Sequence, residues 1–131
     1  MDAGQKLLPL TRGQLDIWLS QQTGLVGTEW QLGLLGRIDG PVKSDLLEAA
    51  IRRALLDASA STAVFAETDG EVRQEEFDYS NLGLAIHDLT GSDDPGRDVR
   101  RLSSEIQSEP MDLAGPLVKF ALFQTGSDEF Y

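Results

Sequence analysis

The chain has 131 residues, 11 basic and 22 acidic, for a formal charge of −11. With 40% apolar and 25% charged residues it reads as one soluble globular unit or a piece of one, not a disordered tail. A balance this acidic opposes generic binding to phosphate backbones, so no nucleic-acid partner is expected.

No stretch approaches the roughly 20 apolar residues that span a bilayer, so no membrane partner is expected. Met1–Pro9 lacks the basic start and long apolar core of a secretory signal. Zero cysteines exclude disulfides, thiolate nucleophiles and Cys-based metal sites, and they fit the cytoplasm. The one histidine, His87, cannot build a His-rich metal site.

In chain order, residues 1–9 read as an irregular lead-in. Thr11 with Gln14 three residues on is a capping-box pattern that starts a helix. Leu15, Trp18 and Leu19 give that helix one apolar face, and Gly24 is a natural stop. Trp30, Leu32, Leu34 and Ile38 then alternate as a strand does, and Asp39-Gly40-Pro41 turns the chain. A second helix is expected over 44–57 with Ser44 as N-cap. Leu46, Leu47, Ala50, Ile51, Ala54 and Leu55 are its apolar set, with Glu48, Arg52 and Arg53 opposite, on a solvated face.

Residues 58–80 read as a hairpin: Ala63–Ala66 leads in, Asp69-Gly70 turns, and Val72–Phe77 returns. Leu84–Leu89 is a short strand. Asp94-Pro95 opens a third helix with core stripe Val99, Leu102 and Ile106, closed by Pro110. Leu117–Gln124 is an apolar strand, 125–128 a turn, and Glu129-Phe130-Tyr131 the start of a return strand. A strand usually runs about five residues, so the sheet is expected to be cut there, with an exposed apolar edge at Leu117–Phe123 and Phe130-Tyr131. The fold class is α+β or mixed α/β, with helices packed on a mixed sheet.

The run Leu10-Thr11-Arg12-Gly13-Gln14-Leu15-Asp16-Ile17-Trp18 resembles the first core motif of condensation domains in non-ribosomal peptide synthetases, Ser-x-Ala-Gln-x-Arg-Leu-Trp-x-Leu. Thr11, Gln14, Ile17 and Trp18 match or substitute conservatively; Gly13, Asp16 and Ser20 depart from it. Ile38-Asp39-Gly40-Pro41 looks like the family's strand and Gly-Pro turn. Phe65 and Glu67–Gln74 resemble the end of its second motif, although the Arg-His-Glu portion is absent from 57–63. Pro110–Lys119 resembles its Pro-Phe-Asp-Leu…Gly-Pro-Leu-Leu-Arg stretch.

The resemblance covers about residues 8–131 and implies a chloramphenicol-acetyltransferase-like N-terminal lobe, with 10–131 the first part of the domain. It implies amide formation between acyl groups carried as phosphopantetheine thioesters on carrier proteins, with no cofactor bound directly. The family's His-His-x-x-x-Asp-Gly motif is expected beyond Tyr131, so this chain holds no catalytic residue and is inactive alone. Its partners are carrier domains and the remainder of the condensation domain. Thr11, Gln14, Ile17 and Trp18 are then structural positions, and His87 an ordinary strand-edge histidine. Trp18 reads as core rather than tunnel wall, Arg52 and Arg53 as solvated rather than carrier contacts, and Glu75, Glu76 and Asp78 as surface acids, with Glu76 and Asp78 sharing a strand face. Two other readings stand beside this one: a non-catalytic docking module of the same fold, and a piece of a related carrier- or CoA-dependent acyltransferase.

Overall fold

The computed structural model describes residues 7–23, 30–58 and 64–131. The expected stop at Gly24 and the lead-in residue Ala63 lie outside these.

Among the described residues two sheets and three helices form the fold. The small sheet has the order β1-β4-β3, built from β1 (Leu8–Pro9), β3 (Val64–Thr68) and β4 (Glu71–Glu75), all antiparallel. The larger sheet has the order β2-β7-β6-β5, from β2 (Ile38–Asp39), β7 (Glu129–Phe130), β6 (Ala121–Gln124) and β5 (Ala85–Asp88). β5 and β6 are parallel, and the other pairs antiparallel. The helices are α1 (Arg12–Gln22), α2 (Ser44–Asp57) and α3 (Pro95–Ser108). A parallel pair needs a crossover, and α3 supplies it between β5 and β6.

Local rules explain most element boundaries. The Thr11 hydroxyl accepts from the Gln14 N–H at 3.3 Å, and the Gln14 side chain accepts from the Thr11 N–H at 2.8 Å. That reciprocal pair satisfies two donors the helix start would otherwise leave orphaned. Asp94 accepts from the Arg97 N–H at 2.9 Å, and Pro95 at the first position needs no N–H partner. Asp94→Ala is expected to lower the midpoint of urea unfolding by the equivalent of about 1 kcal/mol. Asp94→Asn should restore most of it. The β3–β4 hairpin turns through Asp69 (φ 54°) and Gly70 (φ 77°), two consecutive positive-φ residues that suit Asp-Gly.

Other expectations are corrected. The N-terminal lead-in is not wholly irregular: Leu8 and Pro9 pair with Gln74 and Arg73. Pro9 is tolerated there because β1 is a sheet margin. The start of α2 is right but its cap is wrong. The N-cap is Lys43, whose side chain makes no capping bond. Of the expected 30–38 strand only Ile38 joins a ladder, together with Asp39 of the expected turn, and of the expected 117–124 strand only Ala121–Gln124. Near the second, Leu117 donates its N–H to the Tyr79 hydroxyl at 3.3 Å instead. The return arm ends at Glu75, so Glu76 and Asp78 do not share a strand face. Asp78 instead accepts from the Ser80 N–H in a local turn.

The expected exposed edge at Leu117–Phe123 and Phe130-Tyr131 holds only in part, since Phe120 is exposed and β6 pairs with β7 only at its end. β6 lies inside its sheet, and Leu122, Phe123 and Phe130 are buried. The margins are β5 and β2.

With Leu55, Val64, Tyr79 and Val99 these residues make up the core. The face of α2 opposite its apolar set is not wholly solvated. Arg52 donates to the Leu82 carbonyl at 2.8 Å, and Glu48 accepts from the Leu84 N–H at 2.9 Å. The two also pair with each other at 2.7 Å, so they staple α2 to residues 82–84. Arg53 stays outside and pairs with Asp57.

Candidate functional site

The four first-motif residues sit on α1 and its cap. Gln14 donates to the Gln74 side chain at 3.0 Å, and Gln74 donates to the Pro9 carbonyl at 3.0 Å. One chain of amides thus ties α1 to β4 and β1. Trp18 is half-buried rather than core. It lines a cleft of about 540 Å³ with Leu15, Pro9 and the turn residues Gly70–Arg73. No described residue of α1 is buried, and Leu15 and Leu19 are exposed. Ile17 is half-buried.

A second cleft, about 400 Å³, is framed by more of the fold. Its walls are residues 31–38 on one side and Lys119, Ala121 and Phe123 on the other. Its floor comes from the C-terminal half of α3 and Met111, and Tyr131 lines it as well. Ladder partners share a sheet face, so His87 lies on the same face as Phe123, and Ile86 lies with Leu122 on the other. That other face, with Phe130, Pro41 and Val42, lines a smaller cleft of about 190 Å³.

The Gln31 side chain fixes the wall of the second cleft. Its amide donates to the Gln107 and Glu109 carbonyls at 2.9 and 3.0 Å, and its oxygen accepts from the Met111 N–H at 3.2 Å. The end of a helix leaves carbonyls unpaired, and this one side chain satisfies two of them. Gly33 packs on the same place, since a Cβ there would lie 2.6 Å from the Gln107 Oε1.

Several polar groups near this cleft are occupied within the chain. Lys119 is paired with Glu109 at 2.8 Å, and Ser103 donates to the Arg100 carbonyl. Arg37 bridges Asp39 and Glu129, each at 2.8 Å, across β2 and β7. The hydrogen bond and charge of Asp39, then the charge of Glu129, hold the Arg37 pKa above its ordinary value. His87 stands at the sheet margin with its ring stacked on Phe123, centroids 5.0 Å apart and planes 20° apart, as a strand-edge histidine does. The cleft can wall and orient an apolar chain, and among the described residues no imidazole lines it. Among the described residues no group of three His, Cys, Asp or Glu side chains could hold a metal ion. Nor is any described helix long and apolar enough to cross a membrane.

Three carboxylates have lowered pKa values for local reasons. Asp98 accepts from the Ser92 hydroxyl at 2.6 Å and lies near Arg97 and Arg101. Asp78 and Asp88 accept from Ser80 and Thr90. A carboxylate whose folded pKa is depressed stabilises the fold above its unfolded value, about pH 4, and loses that contribution as pH falls through the folded value. Asp98→Asn is therefore expected to flatten the loss of stability below about pH 4, as read by denaturant unfolding at a series of acid pH values. An unchanged acid limb would contradict the assignment to Asp98.

No family model matches the chain. In sequence it is similar to enterobactin synthase component F of Escherichia coli K12, 29% identical over 127 residues, or 95% of this chain and 10% of that protein. It is 28% identical over 123 residues to malpinin synthetase of Mortierella alpina, which is 93% of this chain and 2% of that one. The same identity and length hold for a dimodular nonribosomal peptide synthase of Bacillus subtilis 168, of which 5% is matched. The chain thus spans a tenth or less of the length of these relatives.

Among solved structures, it is similar to the first condensation domain of the calcium-dependent antibiotic synthetase, with a TM-score of 0.85 and 25% identity over 95% of this chain and 31% of that one. The starter condensation domain of rhizomide synthetase superposes with a TM-score of 0.87 at 24% identity, over 95% of this chain and 30% of that one, a likeness of fold. The fold is that of a condensation domain, matched over about a third of its length.

Proposed function

From the likeness of this chain, in sequence and in fold, to the condensation domains of non-ribosomal peptide synthetases, we propose that it forms the first lobe of such a domain. The domain works in the cytoplasm with carrier proteins and joins their acyl and aminoacyl thioesters. The acceptor amine attacks the donor thioester carbonyl. A C–N bond forms, the C–S bond breaks, and the amine proton is passed on as the phosphopantetheine thiol leaves. The observation that carries this reading is the superposition of 95% of the chain on a condensation domain at 25% identity.

In this reading the lobe supplies walls and support, not the base. Its one histidine lies against Phe123 at a sheet margin. The paired imidazoles of the family's active-site motif come from sequence other than residues 1–131. Thr11, Gln14, Ile17 and Trp18 act through structure, by locking α1 to the β1–β4 margin.

The test is a chimera in which residues 1–131 replace the matching third of a solved condensation domain, supplied with donor and acceptor carrier thioesters. Mass spectrometry is expected to find amide product with the chimera and none with the 131-residue chain alone. Turnover by the chain alone overturns the supporting role. A folded chimera without product overturns the assignment to a condensation lobe.

A further inference from the structure

The sequence contains two Asp-Gly steps, Asp39-Gly40 and Asp69-Gly70. An aspartyl carboxyl followed by glycine can be attacked by the glycine nitrogen, because no side chain on the glycine shields that nitrogen. The two steps share their local chemistry and stand in opposite surroundings.

Asp39-Gly40 is held shut. Two nitrogens of Arg37 grip the Asp39 carboxylate, each at 2.8 Å. The Gly40 N–H, whose nitrogen would be the attacker, donates to the Asp128 carbonyl at 2.7 Å. Asp39 itself lies in the β2–β7 ladder opposite Glu129.

Asp69-Gly70 has none of these restraints. It is the exposed tip of the β3–β4 hairpin, just beyond the last pair, Thr68 and Glu71. Arg73, the one base in residues 67–78, pairs with Glu71 at 2.7 Å rather than with Asp69. Among the described residues nothing bonds to the Asp69 carboxylate, and the Gly70 N–H makes no backbone bond outside the ladders. Asp69 is also the one described residue other than glycine with a positive φ, 54°, which an L residue tolerates rather than prefers. Space does not separate the two steps, since a Cβ on either glycine would meet nothing within 4 Å. Bonding does.

We propose that Asp69-Gly70 is a site of succinimide and isoaspartate formation in the folded chain. Its product is a substrate for a protein isoaspartyl carboxyl methyltransferase that uses S-adenosylmethionine. The Gly70 nitrogen attacks Asp69 Cγ. A C–N bond forms, and the carboxyl hydroxyl leaves with the amide proton as water. Water then adds to the Asp69 backbone carbonyl carbon and breaks its bond to the Gly70 nitrogen, which takes up a proton. The chain now runs through Cγ, with no net change of mass and one more backbone atom. The freed carboxylate oxygen takes the methyl group of the sulfonium donor: a C–O bond forms, a C–S bond breaks, and the thioether leaves. A two-residue hairpin loop sets the register of its strands, so an added backbone atom disturbs β4. β4 carries Gln74, which bonds to Gln14 and Pro9, and the tie of α1 to the small sheet loosens with it. The inference rests on the turn, and it holds whether or not the condensation reading does.

The test keeps the 131-residue chain at neutral pH in heavy-oxygen water, which labels each isomerised aspartate once, and maps the peptides by mass spectrometry. Conversion at Asp69 is expected to exceed that at Asp39 by about tenfold or more, the worth of the charge-assisted bonds that guard Asp39 alone. In concentrated urea, where neither step is guarded, the two should convert at like rates. Labelled S-adenosylmethionine with the methyltransferase should place methyl on Asp69 in proportion to its conversion. The isomerised fraction, separated by chromatography, should unfold at a lower urea concentration than the original. No conversion at Asp69, or conversion at Asp39 as fast in the folded chain, overturns the proposal. A tenfold difference that persists in urea overturns the role given to the fold. Conversion without methylation overturns the substrate assignment, and an unchanged urea midpoint overturns the loosening of α1.

Discussion

Tyr79→Ala is expected to destabilise the fold by about 3–5 kcal/mol, among the largest effects of any single substitution in this chain. Tyr79 is 2% exposed, and its ring meets Phe77 edge-on with centroids 4.9 Å apart. Its hydroxyl takes the N–H of Leu117, just before β6. The residue therefore joins the segment after the small-sheet hairpin to the segment that leads into the larger sheet. Deleting the ring removes a large buried apolar area and leaves a cavity. Tyr79→Phe separates the two contributions. It keeps the ring and leaves one N–H without its partner, at a cost of about 1–3 kcal/mol. Denaturant unfolding of both variants checks this. A loss below about 1 kcal/mol for the alanine variant would mean that the sheets are not joined through Tyr79.

The legible parts of this fold are those governed by neighbours in sequence. Thr11 with Gln14, Asp94 with Pro95, and Asp69-Gly70 act over four residues or fewer, and each forms the structure its chemistry calls for. The residues that position the second cleft act over far longer separations. Gln31 reaches Gln107, Glu109 and Met111, and no local pattern marks a glutamine as a helix-end clamp. The staple of Glu48 and Arg52 onto residues 82–84 looks solvated in sequence for the same reason. An i, i+4 ion pair is alike on a free and on a docked helix face. The alternation over 30–38 does signal extended backbone. Alternation states which side chains share a face, whereas a ladder also needs a partner strand. Of that run only Ile38 finds one, joined by Asp39 from the expected turn. Nothing local marks Tyr79 as core, because an aromatic after an acidic run, Glu75-Glu76-Phe77-Asp78, resembles surface until its long-range bond to Leu117 is seen.

Phe123 and His87 give the second large expected effect, together with a sharp contrast. Phe123→Ala should cost about 3–5 kcal/mol, because the ring is 2% exposed at the centre of the larger sheet and forms part of the cleft wall. His87→Ala, at the margin of that sheet, should cost about 0.5–1.5 kcal/mol, the worth of one stacked aromatic pair. The double variant should then be less destabilised than the sum of the two, since either substitution alone already abolishes the same ring stacking. In the chimeric condensation domain the ranking extends to chemistry. Loss of a general base lowers turnover by about 10²–10⁴-fold. His87→Ala should leave amide formation unchanged, because the imidazole is stacked on Phe123 at a sheet margin. Phe123→Ala should lower the yield of folded chimera more than its turnover per folded molecule. A hundredfold fall in turnover for the folded His87→Ala chimera would make this histidine a participant, and the separation drawn between supporting lobe and reacting imidazoles would fail with it.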